Sequence, residues 1–156
     1  MEKEVKYHTP EQAYLKVRDW CALQERCQQE VRDKLYGYGL KTTDVENLIV
    51  RLIDENFINE ERFAMAFAGG KFRIKKWGRV KIKQALKAHR ISDYCIQKAL
   101  AQIDDATYSK TLKGLLDKKA AEIKESSPIQ EKYKLLRYAL SKGYEQNRVF
   151  DLLNEE

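Results

Sequence analysis

A chain of 156 residues with 43% hydrophobic and 35% charged residues is long enough to bury a core, and none of its apolar runs approaches the length of a membrane span. Its two prolines and seven glycines are few for a strand-rich fold with many tight turns, which leaves helices with charged outer faces as the expected class. Thirty Lys+Arg against 24 Asp+Glu give a net charge of +6, enough to favour a polyanionic partner only if the excess is concentrated in one place.

The segment Met1 to Tyr7 is charged and no apolar stretch follows it, so neither a signal peptide nor an anchor is expected and the protein reads as soluble and cytoplasmic. Beyond it the predicted elements repeat. A helix from Pro10 to about Ala22 precedes a helix, turn and helix with key positions Val31, Leu35, Gly39, Leu40, Val45, Leu48 and Ile49. Moving 51 residues along gives Ile82, Leu86, Arg90, Ile91, Ile96, Ala99 and Leu100, preceded by a helix from Glu60 to about Lys75. Moving 104 gives Leu135, Ala139, Gly143, Tyr144, Val149, Leu152 and Leu153, preceded by a helix from Ala106 to about Lys124. Spacings of i, i+4 before the turn and i, i+3, i+4 after it are those of two amphipathic helices. The expected fold is all-α, an elongated tandem array of three three-helix units at residues 1–56, 57–104 and 105–156, the first with an N-terminal extension.

Start and stop signals mark the elements. Thr9-Pro10-Glu11-Gln12 and Ser127-Pro128-Ile129-Gln130 each offer a hydroxyl cap, a proline at the first helical position and a glutamine to return the bond. Thr43-Asp44-Val45-Glu46 reads as a third capping box, and Asn59 as the cap of the helix that opens Glu60-Glu61. Gly39 and Gly143 stand where a helix end takes a left-handed residue. Arg90 holds the equivalent place in the second copy, which predicts either a different turn or a strained one.

The charge excess is local. No acidic residue occurs between Glu61 and Asp93, while that window holds ten of the cations, and without them the rest of the chain carries −4. Arg79, Lys83, Lys87 and Arg90 recur at i, i+4, i+8 and i+11, predicting an outward stripe behind a packed face of Ile82, Ala85, Leu86 and His89. Like charges so close repel, and a bound anion would relieve them. In the preceding helix Phe63, Phe67, Gly70 and Ile74 predict the packed face, with Lys71 and Lys75 on another. Lys71, Arg73, Lys75, Lys76, Arg79, Lys81, Lys83, Lys87 and Arg90 together form the candidate surface for a nucleic acid or a nucleoprotein filament. Trp77 beside Gly78 reads as a packing residue at the interhelical turn.

No catalytic constellation emerges. The serines at 92, 109, 126, 127 and 141 have no neighbouring histidine, and Asp104-Asp105 and Glu155-Glu156 read as a helix boundary and a chain end. Gly69-Gly70 belongs to no phosphate loop. Cys21, Cys27 and Cys95 form no CxxC pair and read as reduced, mostly buried thiols; His8 and His89 lack partners at metal-ligand spacing. An enzyme, a metal site and a cofactor are therefore not expected.

The run Phe57-Ile58-Asn59-Glu60-Glu61-Arg62-Phe63-Ala64, the basic helix, Trp77-Gly78 and Lys81-Ile82-Lys83-Gln84-Ala85-Leu86 together resemble the RecX family of recombinase regulators. The resemblance is most specific from Phe57 to Ile91 and extends to the outer units by hydrophobic spacing. It implies a non-catalytic regulator that binds the RecA recombinase and its filament, restraining filament growth, ATP hydrolysis and strand exchange in homologous recombination, DNA repair and the SOS response; a monomer is expected. Contact with single- or double-stranded DNA is implied as well. The sequence departs from the family pattern at Ala85, where Glu is usual, at Arg90, where Gly is usual, and at Arg79, where Pro is common; the changes make the patch more basic. Two other readings remain open, a general DNA-binding helical protein and a scaffold whose basic face meets an acidic protein.

Overall fold

The computed structural model describes residues 7–124 and 127–154; the candidate serine at 126, the Glu155-Glu156 pair and most of the charged N-terminal segment lie outside the described residues. Within them the chain forms nine helices: α1 (Pro10–Leu23), α2 (Gln28–Gly37), α3 (Thr42–Asp54), α4 (Glu60–Lys75), α5 (Arg79–Ala88), α6 (Asp93–Ala101), α7 (Asp105–Glu122), α8 (Pro128–Ser141) and α9 (Gln146–Leu153). Each helix packs mainly within its own trio, α1 with α2 and α3, α4 with α5 and α6, and α7 with α8 and α9. The accessible surface is 10301 Å², against about 8200 Å² for a compact monomer of this size. The fold is the expected tandem array of three-helix units.

The repeat is visible in the backbone. Gly39, Arg90 and Gly143 all adopt the left-handed conformation, at φ 81°, 60° and 97°. Each donates its N–H to the carbonyl three residues earlier, Tyr36, Lys87 and Leu140 respectively. The next residue, Leu40, Ile91 or Tyr144, is buried in each case, and the one after that is the N-cap of the third helix, Lys41, Ser92 or Glu145. Of the two turn geometries open to Arg90, the strained one is realised, because the buried residue that follows fixes the chain path. Replacing Arg90 by glycine should raise stability by about 0.5–1 kcal/mol, seen as a higher urea midpoint at unchanged slope.

The same register corrects one expected cap. Because the N-cap falls two residues after the left-handed turn, α3 starts at Thr42, capped by Lys41 without a side-chain bond. Thr43 thus lies inside the first turn, and Glu46 bonds instead to Arg32 of α2 at 2.8 Å. The boxes at Thr9–Gln12 and Ser127–Gln130 form as expected, and the Asn59 side chain accepts from the Arg62 N–H at 2.9 Å.

Two cores result. The first trio encloses its own, around Val17, Val31, Leu35, Val45, Leu52 and Ile58. The second and third trios share another, which runs from Phe63 and Phe72 through Ile82, Leu86 and Ile96 to Tyr108, Leu112, Tyr144 and Val149, with Cys27 the contribution of the first trio. At the joint between the second and third trios, main chain meets main chain. Gly78 N–H bonds to Lys142 C=O at 2.8 Å and Val80 N–H to Gly143 C=O at 2.9 Å. A Cβ on Gly78 would lie 2.3 Å from the Gly143 carbonyl, so this contact exists only because residue 78 has no side chain.

Candidate functional site

The basic window occupies α4, the α4–α5 turn and α5. α4 buries Phe63, Ala64, Ala68, Gly69 and Phe72, a face rotated from the one that Phe63, Phe67, Gly70 and Ile74 predict. Small residues at 64, 68 and 69 let α6 approach closely, and that contact sets the helix rotation. Phe67 and Gly70 are consequently only half-buried and Ile74 is 81% exposed. They line a groove of about 390 Å³ with Gln24, Glu25, Lys71 and Lys75. On α5 the packed face is as expected, with Ile82 and Leu86 fully buried and Ala85 and His89 half-buried.

The nine candidate cations fall into four environments. Lys83 and Lys87 are exposed on the outer face of α5, whereas Arg90, expected on the same stripe, is exposed in the left-handed turn beyond the helix; none of the three makes an ion pair among the described residues. Lys83 and Lys87 lie four residues apart, about 6 Å along the helix axis. Lys71 and Lys81 flank the half-buried Trp77, their Nζ atoms 4.9 and 4.7 Å from its ring centroid. Trp77 therefore packs at the turn, as expected, under two cations that its ring attracts. Arg73, Lys75 and Lys76 are exposed at the end of α4. Lys76 is a left-handed C-cap at φ 57°, and its carbonyl accepts from the buried Tyr144 hydroxyl at 2.8 Å.

Arg79 does not join the outward stripe. Its side chain is 19% exposed and its guanidinium donates to Ile103 C=O at 2.8 Å and to Asp105 at 2.9 Å, lying 4.1 Å from the Tyr108 ring centroid. Hydrogen bonds from Arg79 and then from Arg148 hold the Asp105 carboxyl below the usual carboxylate range. Tyr108 is fully buried; its hydroxyl accepts from the Arg79 N–H at 3.0 Å and donates to Glu145 at 2.8 Å. Burial is the main reason that its pKa is raised. Position 79 thus locks the second trio to the third.

The structure adds cations that sequence reading passed over. Lys110, Lys118, Lys119 and Lys142 line a groove of about 630 Å³ between α7 and α8 that Lys76 also borders, with Glu122 its one acidic wall residue. Window charge conceals this groove because Asp105 and Asp117 are interleaved with its lysines in sequence. In space Asp105 is turned to Arg79 and Arg148, while Asp117 lines a different cleft with Lys113 and Lys132. A period-3.6 charge count on α7 would have separated the two faces. Among the described residues no helix is long and apolar enough to cross a membrane.

A tandem array of three-helix units with cations concentrated on its middle unit and continuing into its third is a helical-repeat protein in architecture. Residues 59–100 match the family profile described as RecX, second three-helix domain. Regulatory protein RecX of Clostridium perfringens (strain 13) is 33% identical over 122 residues, covering 77% of this chain and 57% of that protein. The same-named protein of Clostridium tetani is 29% identical over 159 residues, covering 98% of this chain and 73% of that protein. The crystal structure of RecX from Lactobacillus salivarius superposes with a TM-score of 0.84 at 23% identity, over 94% of this chain and 95% of that one. A second crystal structure, of a regulatory protein RecX, gives a TM-score of 0.85 at 20% identity. The chain belongs to the RecX family. It spans little more than half the length of the two Clostridium perfringens relatives, at 57% and 56%.

Proposed function

We propose that this protein regulates a RecA recombinase by binding, without catalysis, to the recombinase and its nucleoprotein filament in the bacterial cytoplasm. The carrying observation is that Lys83, Lys87 and Arg90, three exposed cations with no ion-pair partner among the described residues, lie inside the stretch that matches the RecX second domain. A long, unneutralised surface fits a long anionic partner. An array laid along a filament contacts adjacent protomers and bound DNA together, so subunit addition and cycling are slowed by binding energy alone. Regulation of this kind belongs to DNA repair by homologous recombination and to the SOS response. The residues offered for the contact are Lys71, Arg73, Lys75, Lys76, Lys81, Lys83, Lys87 and Arg90, with Arg79 acting through the joint it holds.

The protein titrated into a cognate RecA ATPase reaction on single-stranded DNA should inhibit hydrolysis. Inhibition well below stoichiometry indicates action at filament ends, and inhibition only near stoichiometry indicates coating; no inhibition at any ratio overturns the reading. The lysine groove between α7 and α8 favours a second reading, a DNA-binding helical protein that recognises no recombinase. Binding to DNA with an unchanged ATPase rate would select it.

A further inference from the structure

The fold brings together three metal-ligating side chains that lie far apart in sequence. Cys27, the N-cap of α2, and Glu30 in the first turn of that helix meet His89, the C-cap of α5, with one ligand atom from each lying within 4.8 Å of the others. The Cys27 Sγ and His89 Nδ1 are 3.8 Å apart. Ligands of a tetrahedral zinc ion, with bonds of about 2.3 Å to sulfur and about 2.0–2.1 Å to nitrogen, sit about 3.6 Å from each other, so the cluster is close to the required size.

The ligands are held in place. The His89 ring is clamped by Phe63 and Phe67, which meet it at 75° and 72° with centroids 5.6 and 5.5 Å away. The Glu30 carboxylate accepts from the Cys27 N–H at 3.1 Å, which ties one ligand to the backbone of another. Cys27 is fully buried, whereas Glu30 and His89 are half-buried and leave a route in from solvent.

Burial and neighbouring carboxylates disfavour a free thiolate at Cys27. Burial pushes the Cys27 thiol up to about 12, and the carboxylates of Glu30 and Glu60 add to this. Burial also holds the Glu60 carboxyl above its ordinary range, with Glu30 contributing repulsion. Glu60 Oε2 is buried and has no hydrogen-bond partner among the described residues. Arg26 lies 3.8 Å from Glu30 Oε2, and its guanidinium is also engaged with the Trp20 ring at 4.0 Å. A divalent ion would reverse each of these penalties, since it stabilises the thiolate and screens the two carboxylates from one another.

We propose that Cys27, Glu30 and His89 bind a divalent transition-metal ion, zinc by ligand chemistry, which clasps the first three-helix unit to the second. The Cys27 thiol gives up its proton to solvent as the sulfur–metal bond forms, His89 coordinates through Nδ1 and keeps its proton on Nε2, and water completes the shell. This inference is independent of the regulatory reading and is tested without any recombinase.

Cobalt(II) serves as the probe, added to the chelator-treated, reduced full chain. One equivalent should bind, giving a thiolate-to-cobalt charge-transfer band in the near ultraviolet together with the intense visible bands of a tetrahedral ion, and zinc should displace it. Cys27→Ser and His89→Gln should each lose the charge-transfer band or weaken binding by about tenfold or more, while Cys21→Ser and Cys95→Ser leave it intact. The half-exposed His89 guards against a Cys27 variant that misfolds. Absence of the band in the wild-type chain, or its persistence in His89→Gln, overturns the proposal, as does its loss in Cys95→Ser alone.

Discussion

Replacing Lys83 and Lys87 together by glutamate should abolish inhibition of recombinase ATPase while leaving the protein folded. Both side chains are exposed and neither forms an ion pair among the described residues, so no interaction of the folded state is lost. Surface charge changes of this kind shift stability by about 0.5 kcal/mol or less. Helical content and melting midpoint should therefore match wild type. Binding changes far more, because each reversal exchanges an attraction to the anionic partner for a repulsion. The single Lys→Ala variants separate phosphate from protein as the partner. If these residues contact phosphates, each should lower the slope of log affinity for DNA against log salt by about one unit. If they contact an acidic surface of the recombinase, DNA affinity stays while inhibition falls. Full inhibition by the folded double variant would move the contact surface to the groove between α7 and α8.

Gly78→Ala should destabilise the protein by about 3 kcal/mol or more, a large effect for a single methyl group. The added Cβ would fall 2.3 Å from the carbonyl carbon and oxygen of Gly143 and 2.5 Å from the Tyr144 nitrogen. All three are main-chain atoms, which cannot swing aside as a flexible side chain would. Relief requires separating the two segments, and that breaks the Gly78-to-Lys142 and Val80-to-Gly143 hydrogen bonds. Gly70→Ala is the control, since nothing lies within 4 Å of a Cβ there. Gly70 sits inside α4, so alanine should stabilise by about 0.5–1 kcal/mol. Urea unfolding of both variants measures the contrast, and equal midpoints would show that the close approach at Gly78 contributes nothing.

The architecture was legible because it is written in short-range signals. Capping residues, proline at the first helical turn and apolar spacing act within a few residues, and they placed the starts of α1, α4 and α8 where the structure has them. The Thr43 cap misled for a reason of the same range: turn register outranks a local motif when a buried residue such as Leu40 pins the chain between them. The site was legible only in part. Sequence reveals that cations are dense near Lys83, but not neutralisation by residues distant in the chain or where the helix ends, so its spacing puts Arg79 and Arg90 in the stripe although Asp105 and the Ile103 carbonyl hold the first and a left-handed turn carries the second. Nor does it show which helix face a tertiary contact turns inward, which is why the spacing packs Ile74 while the fold leaves it exposed. Clusters such as Cys27 with His89, 62 residues apart, have no local signature at all.

The two joints of the array are made differently, and the difference has a mechanical consequence. Backbone hydrogen bonds and a common core weld the second unit to the third. The first unit, with a core of its own, meets the second through side chains, among them Arg62 with Glu25 and Asn56. Side-chain contacts give way by rotamer changes, whereas a main-chain seam yields only by breaking. Shifting the first unit against the second is therefore less costly than parting the second from the third. The second and third units form one stiff body that carries the basic surface, and the first is the unit able to shift without breaking the seam at Gly78.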